Sequence, residues 1–282
     1  MAGASKKSRK VAKPASDEEY QSDESGSYHG QQEIQATFEG RNPEGQDFHG
    51  IKQLLNQLFL TAHVDLGQMS DMLISQAGIG SVLKQSFNDS DDEEDIEMVE
   101  ESDVFGITSV INLTQHKETP CVQQLYKLVD DEVTKQADPE AKSLFKEIVG
   151  NNSNKIGFII NERFVNIPSK ISLPMLHALQ DEIHRMGKKN DGYKFDYYLM
   201  ICKNWKSKSD GSEIVFSNDE EEIFWKKADC RFEYSVAGKS DTGLTGNWQS
   251  EDKELIPHRV IILFKADKLP SIISEIQNFV SN

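Results

Sequence analysis

The 282-residue sequence predicts an α/β fold, a mixed sheet flanked by helices. Three observations carry that expectation. Short β-rich runs at residues 104–113, 155–160, 195–202, 228–236 and 260–264 alternate with segments whose apolar residues recur every three or four positions. A content of 37% hydrophobic and 9% aromatic residues is enough to build a core. The apolar runs, such as Val260 to Phe264, fall far short of the roughly 18–20 residues a membrane-crossing helix needs.

Taken in order, Ile34, Ala36 and Phe38 alternate as one strand face, and Phe48, Ile51, Leu54, Leu55, Leu58 and Phe59 then recur at helical spacing. Asp65 is placed to cap a second helix carrying Leu66, Met69, Leu73 and Ile74. After the run at 104–113, helical patterns occupy residues 121–134 and 139–149. Residues 155–160 read as a strand covered on both faces. Ser172 is the expected N-cap of a helix with Pro174 in its first turn and Leu176, Leu179, Ile183 and Met186 on one side. Residues 188–192 stop that helix. Two long strands rich in Phe and Tyr follow, then a central strand at 260–264. Leu269, Ile272, Ile273, Ile276, Phe279 and Val280 form one side of a last helix. Polar stretches at 206–212 and 238–252 read as surface loops.

Two segments stand apart from this pattern. Residues 1–30 are polar and low in apolar area, so a disordered tail is expected. Their cluster Lys6, Lys7, Arg9 and Lys10 is the cationic pattern an import receptor reads, which would make the protein nuclear; a merely solubilising tail is the equal alternative. Residues 88–103 hold ten carboxylates, Asp91, Asp92, Glu93, Glu94 and Asp95 among them, with no Lys or Arg. They supply −10 of the formal net charge of −16 and are expected to stay extended as a flexible insert in a single α/β domain spanning 31–282. Ser16, Ser22 and Ser90 precede acids and are candidate phosphorylation sites.

The acidic balance excludes a duplex nucleic-acid binder, which needs a basic face. No membrane partner is expected either: residues 1–14 lack a signal-peptide core. Cys121, Cys202 and Cys230 are too scattered for a CxxC pair or a disulfide framework and read as buried thiols. The sequence Gln76-Ala77-Gly78-Ile79-Gly80-Ser81 is the nearest approach to a phosphate cradle, but it lacks the Gly-Lys-Ser/Thr ending and a following helix; a turn at a domain edge is the better reading. His177 and His184 are seven apart and lack zinc-ligand spacing. Asp219-Glu220-Glu221-Glu222 reads as the charged start of a helix. No catalytic, cofactor or metal residue is therefore assigned.

The segment GFIINERFVNIPSKISLP at residues 157–174, with IGSVLKQ at 79–85, FDYYLMICKNW at 195–205, NDEEEIFWKKADCRFEYSV at 218–236 and FKADKLPSIISEI at 264–276, resembles the BCCIP family. The resemblance runs from about Gln32 to the C-terminus. It implies a largely antiparallel sheet like that of GNAT acetyltransferases, without that activity. It further implies a non-enzymatic nuclear chaperone and adaptor that shields a basic large-subunit ribosomal protein and supports its export. The alternative it implies is a cell-cycle and DNA-repair scaffold whose partners are a cyclin-dependent kinase inhibitor and a recombination mediator. A partner face is expected on surface residues Glu162, Arg163, Phe164 and Asn166 and on Trp225, with the acidic insert steering the encounter; the alternative is that these residues pack the strand-to-helix corner, which is the better reading for Phe164.

Overall fold

The structure, a computed structural model, describes residues 37–86, 103–207, 214–239 and 255–281. Its strands are β1 (Thr37–Arg41), β2 (Ser81–Ser86), β3 (Gly106–Asn112), β4 (Ile156–Arg163), β5 (Tyr197–Ser207), β6 (Ile214–Phe216), β7 (Cys230–Ser235) and β8 (Leu255–Lys265). They form one open sheet in the order β1-β2-β3-β4-β5-β8-β7, with β6 beside β5. Every pairing is antiparallel except that of β4 with β5. The sheet is thus mixed and mostly antiparallel, as the sequence led us to expect.

The helices are α1 (Phe48–Phe59), α2 (Leu66–Ser75), α3 (Pro120–Gln136), α4 (Pro139–Gly150), α5 (Ser172–Gly187), α6 (Glu221–Lys227) and α7 (Leu269–Ser281). Strand alternation sends neighbouring side chains to opposite faces, so one strand feeds two cores. In β8, Ile261 and Leu263 pack with α1 to α4, while Val260, Ile262 and Phe264 pack with α5 to α7. Each aliphatic side chain taken fully out of water contributes about 1.5–3 kcal/mol, and those in β8 count on both sides.

Local chemistry sets several helix starts. Asp65 accepts from the Gln68 amide at 3.0 Å and Asp138 from that of Ala141 at 2.8 Å, satisfying amides that each first turn leaves unpaired. At the other end of α1 the chain leaves through Leu60 at φ 53°, and Arg259 of β8 donates to the carbonyls of Gln57 and Leu58, both at 2.7 Å. A guanidinium there satisfies orphan carbonyls and complements the helix dipole.

The structure corrects three local expectations. Ser172 does not cap α5: a 3-10 turn at Ser169–Ile171 leads in, Ile171 takes the cap position, and the Ser172 hydroxyl donates back to the Ser169 carbonyl at 2.7 Å. Phe279 leaves the buried face of α7 and is 45% exposed, because Leu269, Ile272, Ile273 and Ile276 already fill the strip that meets the sheet. Lys206 and Ser207 belong to β5 rather than to a loop, since β5 pairs with β8 along its whole length. Residues 34–36 of the first alternation lie outside the described residues. So do the tail with Lys6, Lys7, Arg9, Lys10, Ser16 and Ser22, residues 88–102 with Ser90, Asp91, Asp92, Glu93, Glu94 and Asp95, and most of both polar loops.

Candidate functional site

Strands β4 and β5 do not pair along their lengths. Their parallel register joins Ile156–Ile159 to Tyr197–Met200 and stops there. Beyond it β4 stays bonded to β3 as far as Arg163, and β5 to β8 as far as Ser207, so the sheet splits. A split leaves backbone groups that burial does not tolerate unpaired. On the β5 side β6 takes the vacated edge, pairing Ile214–Phe216 with Lys206, Trp205 and Asn204, and the Ser217 amide donates to the Lys203 carbonyl at 2.9 Å. On the β4 side the Asn218 side-chain amide donates to the Asn161 carbonyl at 3.0 Å. The chain from β6 into α6 is therefore a wedge between the two strands.

Alternation divides the polar side chains around the wedge between the two faces. On the α5 to α7 face, Arg163 makes a two-pronged ion pair with Glu220, at 2.5 and 2.8 Å. The Asn161 side-chain amide donates to Glu220 Oε1 at 3.0 Å and Glu221 Oε1 at 3.3 Å, and that of Asn218 donates to the same Glu221 oxygen at 3.0 Å. Thr108 of β3 donates to Asn161 Oδ1 at 3.1 Å. On the α1 to α4 face, Lys203 Nζ lies 2.5 Å from Glu162 Oε2. Arg163 also reaches forward through Nε to the Ile167 carbonyl at 3.2 Å, which ties the Phe164–Ile167 turn to the wedge.

Glu220 and Glu221 are 0% exposed, so each charge needs a partner in place of water. Glu220 has Arg163, whereas Glu221 accepts from the side-chain amides of Asn161 and Asn218 and makes no direct ion pair among the described residues. Burial, followed by the neighbouring Glu162 and Glu220 charges, pushes the Glu221 carboxyl well above its ordinary range. Burial also raises Glu162, against the pull of Lys203. For Arg163 burial opposes the charge, and the Glu220 carboxylate outweighs it and holds the guanidinium above its usual value. Burial and then the Glu221 charge raise the Cys202 thiol well above its ordinary value, which leaves it an inert thiol rather than a nucleophile.

This geometry corrects the expected partner face. Glu162 and Arg163, expected on the surface, are 2% and 8% exposed, because β4 runs three residues past its apolar segment and carries both inside. Phe164 is half-buried and Asn166 exposed, on the turn that follows. Trp225 is half-buried on α6, with the Arg231 guanidinium 4.5 Å from its ring centroid. The acidic start of α6 is likewise only partly a solvated face, since Glu220 and Glu221 turn inward while Asp219 and Glu222 stay out. Sequence reasoning missed Asn161, Lys203, Asn218 and Arg259. A possible signal was the charged pair Glu162–Arg163 directly following the apolar run in β4.

Gly78 and Gly80 adopt φ 73° and 85° in a turn that leads into β2, an inner strand of the sheet. A Cβ on Gly80 would stand 2.3 Å from Ser109 Oγ, so the residue must be glycine. Its amide, the group a phosphate would need, donates to Glu182 of α5 at 2.7 Å. The void bordered by Thr108, Asn161, Glu162, Arg163 and Ser172 is about 10 Å³, room for about one water. Larger open grooves of about 410 and 740 Å³ lie beside α3/α4 and α5/α7, and no wedge residue lines them. Among the described residues no group of His, Cys, Asp and Glu is placed to hold a metal ion, and His177 and His184 are both exposed. No described helix is long and apolar enough to cross a membrane.

Comparison with known proteins places the chain. The BCCIP family model matches residues 33–228. The chain is 40% identical over 259 residues to a protein BCCIP homolog of Drosophila melanogaster, covering 90% of this chain and 87% of that one. It is 33% identical over 264 residues to the human BRCA2 and CDKN1A-interacting protein, covering 89% and 82%. It is similar in fold to the crystal structure of BCP1 from Saccharomyces cerevisiae, with a TM-score of 0.59 and 18% identity over 86% of this chain and 88% of that one. The chain, carrying its polar wedge within the stretch that matches, belongs to the BCCIP family.

Proposed function

We propose that this protein is a non-enzymatic nuclear chaperone and adaptor that binds a basic large-subunit ribosomal protein, shields it before assembly and supports its export. The observation that carries the reading is the distribution of charge: residues 88–103 supply −10 of a net −16. A ribosomal protein awaiting RNA presents Lys and Arg surfaces, and a polyanionic strip competes for them while remaining releasable. Exposed ion pairs contribute about 0–1 kcal/mol each, so the strip steers and a folded face specifies. The filled wedge and the occupied Gly80 amide support the non-enzymatic part, because the split between β4 and β5 and the glycine turn are both taken up by the chain's own groups. In this reading residues 31–282 act as one domain of GNAT-like type, the basic cluster at Lys6–Lys10 engages an import receptor, and phosphorylation of Ser16, Ser22 or Ser90 adds to the acidic charge.

The test is a pull-down from nuclear extract with the full chain at low and high salt, with mass spectrometry of what is retained. Salt-sensitive recovery of one large-subunit ribosomal protein is expected; its absence at both salts overturns the reading. A second reading is favoured by the names of the bovine and human relatives, each called a BRCA2 and CDKN1A-interacting protein. Recovery of cell-cycle and repair regulators without a ribosomal protein would move the assignment to a regulatory scaffold.

A further inference from the structure

Of the two open grooves, the one of about 410 Å³ beside α3 and α4 has a fixed frame. Phe145 of α4 and Ile156 at the start of β4 are 3% and 2% exposed and form its floor, and Tyr126 of α3 and Val149 of α4 line it half-buried. One wall is the connection from α4 to β4, which holds its own shape. The Asn154 amide donates to the Asn151 carbonyl at 3.0 Å, the Ser153 amide to Asn151 Oδ1 at 3.0 Å, and the Asn154 side-chain amide to the Ile148 carbonyl at 2.8 Å. The Thr114 hydroxyl, just past β3, donates to the Asn154 carbonyl at 3.0 Å and accepts from the Ile156 amide at 2.9 Å. A groove framed this way is set before anything enters it, so binding there costs little ordering.

Three other polar groups on the groove are not used in the frame, and all three are donors. Lys117, on the turn before α3, and Lys146, on α4, are exposed and make no ion pair or hydrogen bond among the described residues. The Tyr126 hydroxyl makes none either, and burial pushes it up to about 12, so it keeps its proton at neutral pH. Asp130 of α3 is the one carboxylate that lines the groove. Two ammonium groups against one carboxylate make this a cationic site on a chain of net charge −16. The donors come from three separate elements, so an anion lying over the apolar floor would meet them from more than one side.

We propose that this groove docks an acidic segment of a partner protein in which apolar side chains alternate with carboxylates. The apolar side chain rests on Phe145 and Ile156, and the carboxylates meet Lys117, Lys146 and the Tyr126 hydroxyl. Such a partner is opposite in charge to the client proposed above, so this site stands independently of that reading and gives an adaptor a second, differently charged contact. A peptide fits better than a small acid because the groove is open: a pocket for a small molecule buries most of its ligand, whereas a segment lying across an open groove brings its own flanking contacts.

The test measures anisotropy of two short labelled peptides of equal charge, one alternating Glu with Leu and one Glu with Ser, binding to the full chain. It is run at about 0.15 M salt, where charges beyond roughly 8 Å are screened and the local cations decide rather than the net charge. The Glu/Leu peptide binds more tightly. Lys117→Glu and Lys146→Glu each weaken it by about three- to five-fold, the range of an exposed ion pair. Tyr126→Phe, which keeps the ring and removes one donor, weakens it by about three- to ten-fold. Lys127→Glu, at an exposed lysine of α3 that does not line the groove, changes nothing. Equal binding of the two peptides, no loss in Tyr126→Phe, or the same loss from Lys127→Glu as from the groove lysines would overturn the proposal. The three lysines are exposed, so their replacement should leave the fold intact. A photo-crosslinker at position 146 gives a second readout: it labels the Glu/Leu peptide, and failure to label it counts against the site. Binding of 4-phenylbutyrate with the affinity of the peptide would make a small acid the occupant and overturn the peptide.

Discussion

Over Ile156–Ile159, β4 meets β5 through backbone hydrogen bonds and apolar side chains; over Asn161–Arg163 it faces β5 across side chains that carry charge. The first half closes so tightly that a Cβ on Gly157 would stand 2.9 Å from Val110 and 3.0 Å from the Tyr198 ring. The second half is held open by Asn218, Glu220 and Glu221, each bonded to β4 side chains or backbone. The difference teaches that one strand can be fixed by packing along part of its length and by a buried ionic network along the rest. The two respond differently to substitution. Packing tolerates loss of volume poorly but has no charge to strand, whereas a network tolerates removal of all its charges better than removal of one.

The largest expected effect breaks the network half. Glu220→Ala leaves Arg163 buried without its anion and should cost about 3–5 kcal/mol in chemical denaturation. Replacing both partners, Arg163→Met with Glu220→Leu, should recover most of that loss, since an apolar pair strands no charge. If the double variant is as unstable as the single one, the network is not separable in this way. The packed half is broken from the opposite direction: Gly157→Ala adds a methyl where Val110 and Tyr198 already meet, and should cost about 1–3 kcal/mol with no dependence on pH between neutral and mildly acidic solution.

The smallest effect sharpens the comparison through pH. The folded protein holds the Glu221 proton to a higher pH than the unfolded chain, which releases it near about pH 4.3. The stability this contributes is full below that point and is lost as pH rises towards the folded value, because over that window the native state binds more protons. Glu221→Gln, which has no proton to release, should flatten the fall in Tm as pH is raised above that point. Glu162 shifts in the same direction, facing Lys203, Arg259 and Arg163, so part of the slope remains. An unchanged slope would mean that Glu221 is not the group responsible.

Much of the architecture was legible in the residues themselves. The apolar spacing in α1, the Asp65 cap of α2, the amphipathic face of α5 and the two-faced apolar run of β8 each follow from local chemistry that acts within one or two turns. The wedge was not legible. Its members come from β3, β4, β5 and the entry to α6, separated by up to about sixty residues where Asn161 meets Glu221, and no local pattern links them. β6, with three residues, is too short to show a period, and it was missed for that reason.

By itself the sequence determined the fold class, the acidic balance and the family, because periodicity, charge and ordered motifs are properties of the chain before it folds. Only the tertiary structure decided which carboxylates are buried. Glu220 and Glu222 are alike in the sequence, yet one is sealed against Arg163 and the other stays in water. That choice depends on where β4 and β5 part, and the point of parting is set by long-range pairing rather than by any residue alone.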